Sequence, residues 1–186
     1  MKKFVALLLA VLMVASLCAC GQKDTGSDLQ TVTKGKLIMS TNAEFAPYEY
    51  VADDGKGFQG TGYEGIDIEI AYALAQKLGL ELVVDNMDFD AALSAVQTGK
   101  SDMVAAGVTV TPDRLNAMSF TDSYANGVQV VIVKEGSDIK SIDDLQGKKI
   151  GTQRGTTGFL YCSDDFGDDN VIGFDDGATA VQNLKA

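Results

Sequence analysis

The chain has 186 residues, 46% of them hydrophobic, enough to bury one good core or two modest ones. Twenty-six acidic residues against fifteen basic ones leave a net charge of −11, which argues against nucleic acid or an anionic surface as the main partner. Two of the three cysteines lie in the first twenty residues, so no disulfide framework is available to the rest, and its fold must rest on a hydrophobic core.

Residues 1–20 read as a targeting segment. Lys2 and Lys3 precede an apolar run from Phe4 to Leu17 that is too short for a comfortable membrane span. The run closes as Leu17-Cys18-Ala19-Cys20-Gly21, which resembles the lipobox of bacterial lipoproteins and implies acylation of Cys20. A plain secretory signal with incidental cysteines is the alternative. Residues 21–35 are polar, and their first half resembles a flexible tether.

Lys36–Ser40 reads as a first strand. Ala43 to Tyr50 (A-E-F-A-P-Y-E-Y) reads as a loop, because Pro47 forbids a helix interior, and it displays three aromatics past the carboxyl end of that strand. Ligands of open α/β sheets bind at that edge, so Phe45 or Tyr48 is expected to wall a pocket, unless it covers the local core. Residues 52–62 are a turn-rich excursion with a hairpin around Asp54-Gly55. Ile66, Ile70, Ala73, Leu74 and Lys77-Leu78 keep helical spacing, and Gly79 is a C-cap. Leu80–Val84 is a second strand, Asp88 or Asp90 caps a helix through Gln97, and Asp102–Ala106 is a third strand. The pattern β-α-β-α-β implies a mainly parallel sheet with helices on both faces.

Val104 to Arg114 (V-A-A-G-V-T-V-T-P-D-R) is the most informative stretch. Gly107 permits a close backbone approach, and Thr111-Pro112 reads as an N-cap followed by proline at the first helical position. Arg114 falls on the first turn of that helix. Exposed amides, hydroxyls and one guanidinium this close together suit a carboxylate, because arginine pairs bidentately with planar anions. An ordinary strand–turn–helix with a solvated arginine is the alternative.

Five motifs occur in order: A-E-F-A-P-Y-E-Y, G-I-D-I-E-I at 65–70, D-M-V-A-A-G-V-T-V-T-P-D-R at 102–114, F-T-D-S-Y at 120–124 and Q-R-G-T-T-G at 153–158. Together they resemble the amino-acid-binding family of bacterial extracellular solute-binding proteins, which feed ABC importers, over essentially all of residues 36–186. The resemblance implies a two-lobe α/β fold that closes over its ligand by a hinge motion. The first lobe would span 36–125 and the second 126–186, with the hinge near 124–128. In the second lobe we expect a strand at Val128–Val133, a short helix at Ile142–Leu145 and a strand at Lys149–Gly151. A helix starting at Gly155-Thr156-Thr157, a strand at Val171–Phe174 and a helix at Gly177–Lys185 complete it.

Carried over residue by residue, the family's carboxylate clamp falls on Arg114, helped by the Thr109 amide and by the amides and hydroxyls of Thr156 and Thr157. The ligand's ammonium would meet the Gly107 carbonyl and the Thr109 hydroxyl, and Phe45 would stack on the ligand. Asn42, Glu44, Ile66, Ala105, Ala106 and Gln153 would line the side-chain pocket. Two departures stand out. Ile66 replaces the aromatic residue of many relatives, and the second-lobe acid that binds the ammonium is not found before Ala186, so the second lobe is expected to be incomplete. The resemblance implies no cofactor, metal or catalytic residue, and a monomer that meets permease subunits and touches the membrane only through its lipid, at the outer face of the cytoplasmic membrane. The ligand would be a free, polar or charged L-amino acid. Glu44 hints at a cationic side chain, or simply faces water. A sensory domain, or a dehydratase or lytic enzyme of similar fold, is the competing function. With no histidine in the chain, no acid–base pair suggests itself for the enzymatic reading. Truncating Arg114 is expected to leave fold stability almost unchanged, on the reading that it faces the cleft and not the core.

Overall fold

The computed structural model describes residues 29–186. The targeting segment, Cys20 and the first part of the tether lie outside the described residues. Among the described residues, no helix is long and apolar enough to cross a membrane.

The first unit is built on three parallel strands, β1 (Lys36–Thr41), β5 (Glu81–Asn86) and β6 (Met103–Val104), in the order β5-β1-β6. Register runs from Lys36 opposite Glu81 to Thr41 opposite Asn86, and Met39 pairs with Met103. Successive residues of β6 point to opposite faces, as the strand period of two requires. Met103 joins Met39, Ile68, Ala71 and Ala105 under helix α1 (Ile66–Leu78), while Val104 joins Phe89, Leu93 and Ala106 under α2 (Phe89–Gln97). Both faces of the sheet are therefore covered, the arrangement parallel sheets need. Asp88 occupies the N-cap of α2, although its side chain makes no capping bond. A further helix, α3 (Pro112–Ala117), follows β6, and the Thr111 hydroxyl caps it by accepting from the Arg114 amide at 3.2 Å.

Three expectations need correction here. Ala43–Tyr50 is not a plain loop. It contributes β2 (Glu44–Phe45) and the start of β3 (Glu49–Val51), which pair antiparallel with each other, and β3 pairs with β4 (Tyr63–Glu64) across the 52–62 excursion. Helix α1 lies where its spacing predicts and ends on left-handed Gly79, but it is rotated. Ile66, Ile70 and Leu74 are 39–44% exposed, whereas Asp67, Ile68, Ala71 and Ala75 are buried. The helix is apolar on two sides, and its alanines permit the closer approach to the sheet. Third, Val128–Val133 forms no strand, and Val128 is 86% exposed. A strand exists only with ladder partners, and none of the described residues supplies one here.

The second unit contains a two-stranded parallel sheet, β7 (Ile150–Gln153) and β8 (Val171–Phe174), flanked by α4 (Thr157–Phe166) and α5 (Gly177–Lys185). The residues Ile142–Leu145 form a 3₁₀ turn closed by a capping box between Ser141 and Asp144, and Leu145 is buried. Residues 118–134 run between the two units without helix or strand.

Candidate functional site

The carboxyl end of β1 is polar yet buried, and each group there is tied down. The Ser40 hydroxyl donates to the Ala92 carbonyl at 2.9 Å, and the Thr41 hydroxyl donates to the Ala105 carbonyl at 2.7 Å. The Asn42 amide donates to the Met87 carbonyl at 3.0 Å, leaving its oxygen free to accept from Gln153 Nε2 at 2.9 Å. That last bond joins the two units across 111 residues of chain.

Beside it, the loop after β6 passes under β2. Gly107 has φ +55°, and a Cβ there would stand 2.9 Å from Cε1 of Phe45, so only glycine lets the backbone and the ring meet. Phe45 is half-exposed and stacks on Tyr48, ring centroids 5.3 Å apart.

Arg114 is 8% exposed. Its guanidinium donates to the Thr109 carbonyl at 2.8 Å and, across the cleft, to the Gly155 carbonyl at 2.9 Å. It also lies over the Phe89 ring, 5.6 Å from the centroid, a cation–π geometry. Burial pulls the guanidinium below its ordinary value, and the negative charge of Asp90 opposes this. A guanidinium has five N–H donors, so donors remain for an anion. On the opposite wall Gly155 precedes α4 with φ +71°, and a Cβ there would overlap the Asp90 carboxylate. The two units thus touch through Arg114–Gly155, Asn42–Gln153 and Asp90 against Gly155.

Of the residues expected in the site, Asn42, Phe45, Ala106, Gly107, Thr109, Arg114, Gln153, Thr156 and Thr157 line one cleft. Its volume, ≈ 1210 Å³, exceeds the roughly 300–1,000 Å³ usual for small-molecule sites. The excess arises because the cleft continues along Val128–Val133 and the open side of the second unit. Three expected residues are elsewhere. Ile66 borders a separate small pocket with Pro47, Tyr50 and Phe58, as the rotation of α1 requires. Ala105 packs in the core against Met39 and Ile68, since the β6 alternation turns it away from the cleft side. Glu44 is exposed on β2 and is not among the cleft-lining residues.

The two threonines of α4 divide their work. The Thr156 hydroxyl donates to the Gln153 carbonyl at 2.7 Å and accepts from the Phe159 amide at 3.2 Å, so it is committed to the cap. The Thr157 hydroxyl accepts from Gln129 Nε2 at 3.3 Å and keeps its own proton to donate. Thr156, Thr157 and Gly158, at the amino end of α4, line the same cleft as Arg114, and this end of a helix favours an anion.

Sequence reasoning missed Phe89, Asp90, Gln129 and, above all, Glu49, Asp67 and Tyr124. Glu49 lines the cleft and is 1% exposed; Asp67 is 0% exposed. Burial first, and then the charge and hydrogen bond of Asp67, push the Glu49 carboxyl up to about 10. Burial and the Asp67 charge likewise push the Tyr124 phenol up. The only signal available was that Glu49, Asp67 and Tyr124 each lie in one of the five motifs, which says nothing about their meeting.

This geometry has close parallels. The chain is 38% identical over 156 residues to the arginine-binding extracellular protein ArtP of Bacillus subtilis, covering 84% of this chain and 57% of that protein. It is 36% identical over 172 residues to a probable histidine-binding protein of Neisseria gonorrhoeae, covering 91% and 62%. The chain therefore spans less than two thirds of the length of these relatives. Among solved structures, a truncated, arginine-bound form of ArgBP from T. maritima superposes with a TM-score of 0.74 at 33% identity, over 83% of this chain and 70% of that one. Residues 37–184 match bacterial extracellular solute-binding proteins, family 3, and with the two α/β units and the cleft between them this establishes that the chain belongs to that family.

Proposed function

We propose that this protein is an extracytoplasmic receptor, tethered through a lipid on Cys20, that holds a free amino acid in the cleft and delivers it to an ABC importer. The observation that carries the reading is Arg114. It is a buried cation at the junction of both units, with unused donors and the amino end of α4 facing it. The ligand's α-carboxylate would take the guanidinium fork and the α4 amides, with the Thr157 hydroxyl in support. Its ammonium would meet the Gly107 carbonyl and Thr109, and Phe45 would lie on its side chain. The lobes would be 36–125 and 126–186, moving about residues 124–128. No chemistry is assigned to the site, and the protein would act as a monomer with permease subunits as partners. Relatives named for arginine and histidine binding favour a cationic side chain. Calorimetry of the full-length protein against the twenty amino acids tests this. Tight binding of one or a few cationic amino acids is expected, and no binding of any of them overturns it.

A further inference from the structure

Four separate elements converge on one buried carboxylate. Asp67, in the first turn of α1, accepts from the Gly107 amide at 3.1 Å and from the Tyr124 hydroxyl at 3.0 Å. Glu49 reaches the same place from β3, because the Asp67 amide donates to the carbonyl of the adjacent Tyr48 at 2.9 Å. Asp67 Oδ1 and Glu49 Oε2 are both buried, and neither meets a donor. Two buried acceptors side by side are strongly disfavoured if both groups are ionised, and a proton held between them removes both orphans. The proton belongs on Glu49. Asp67 has two donors and the amino end of a thirteen-residue helix to favour its charge, and Glu49 has neither. The titratable groups facing Glu49 are Asp67 from α1 and Tyr124 from the segment between the units, while the Gly107 loop offers only its amide. Glu64 of β4 is engaged with Tyr50. No lysine or arginine is among the groups acting on Glu49.

We propose that Glu49 and Asp67 form a proton-sharing positioning pair for the cleft: through it Asp67 holds the Gly107 loop and Tyr124 in place together, and loss of the shared proton lowers ligand affinity. Gly107 lies directly against the Phe45 ring, and Tyr124 lies within the segment that leads to the second unit. One carboxylate thus sets the floor of the cleft and one end of the connection between its walls. When Glu49 ionises, two like charges in a dry site repel, and the cheapest relief is to open the loop or the tyrosine contact to water. The affinity part rests on the amino-acid reading of the cleft, and the pair itself does not.

The test uses the full-length protein with ¹³C-labelled carboxyl groups, and L-arginine and L-histidine as probes. The Glu49 carboxyl carbon should titrate far above the ordinary carboxylate range, and the Asp67 carbon should report the same event. A Glu49 signal that titrates in the ordinary range overturns the proposal. Glu49→Gln keeps a donor for Asp67 but has no proton to lose. The ratio of wild-type to E49Q affinity should therefore fall by about tenfold on passing from neutral pH to above the Glu49 value, with the ligand's own ionisation cancelling in the ratio. A ratio that does not move with pH overturns the role in binding. Asp67→Asn retains an acceptor for Gly107 and Tyr124 and should recover much of the affinity lost in Asp67→Ala; if D67A binds as wild type does, the positioning role is wrong. If neither probe nor any other amino acid binds, the reading of the cleft fails, and the carboxyl titration still decides on the shared proton.

Discussion

Replacing Arg114 by alanine removes three things at once. The ligand would lose a charge-assisted, bidentate partner in a site that closure dries, and truncating one member of such a buried pair costs about 2–5 kcal/mol. That corresponds to roughly thirty- to several-thousand-fold in affinity. The free protein would lose the bonds to the Thr109 and Gly155 carbonyls and the Phe89 contact. The sequence alone suggested a side chain facing only the cleft and indifferent to stability. The observed burial and two carbonyl bonds revise this to a loss of about 1–3 kcal/mol. Arg114→Lys should recover only part of either, because an ammonium cannot span both carbonyls in a fork. The assay is calorimetric titration of the full-length protein with its best amino acid and with that ligand's carboxamide. Wild type should reject the carboxamide, and R114A should bind both poorly and almost alike. If R114A still strongly prefers the free acid, another group reads the carboxylate and the assignment of the site is wrong.

Cys20→Ser should release the protein into the medium while Cys18→Ser should not, because each buried CH₂ of a lipid contributes about 0.8 kcal/mol of anchoring; membrane retention of C20S on fractionation would refute the lipobox reading. In the 186-residue chain, residues 128–186 should exchange their amides faster than residues 36–124, with the unpaired Val128–Val133 fastest. Equal and high protection of both parts contradicts this. The Glu49 pair also has a stability signature. Its carboxyl is raised from 4.5 to about 10, so the native state holds a proton that the unfolded state has lost. Its stabilisation is fully present below 4.5 and is lost as pH rises through the folded value, at no more than about 1.4 kcal/mol per pH unit. Urea unfolding at about pH 6 and about pH 8 should show a steeper loss for wild type than for E49Q, and parallel slopes would remove Glu49 as the cause.

Much of this protein is legible one short window at a time. Thr111, Thr156 and Asp176 cap helices with hydroxyl or carboxylate groups that reach amides three residues on, and Gly79 ends α1 in the left-handed region. Those interactions depend on a few neighbouring residues, so spacing and residue type suffice to find them. The proximity of Gly107, Thr109 and Arg114 is local in the same sense. Other features were decided only by tertiary structure. Helix α1 carries apolar residues on two sides, and the choice of face came from Ala71 and Ala75 fitting the sheet and from Asp67 reaching Gly107 and Tyr124, partners 40 and 57 residues away. Val128–Val133 has strand composition at every position but Gln129, yet composition cannot supply a ladder, which belongs to a neighbour. Nothing in the sequence sets Glu49 apart from the other acids of an acidic chain. Its burial beside Asp67, and the bond from Gln153 to Asn42, follow from chain segments brought together by packing, for which no spacing rule exists.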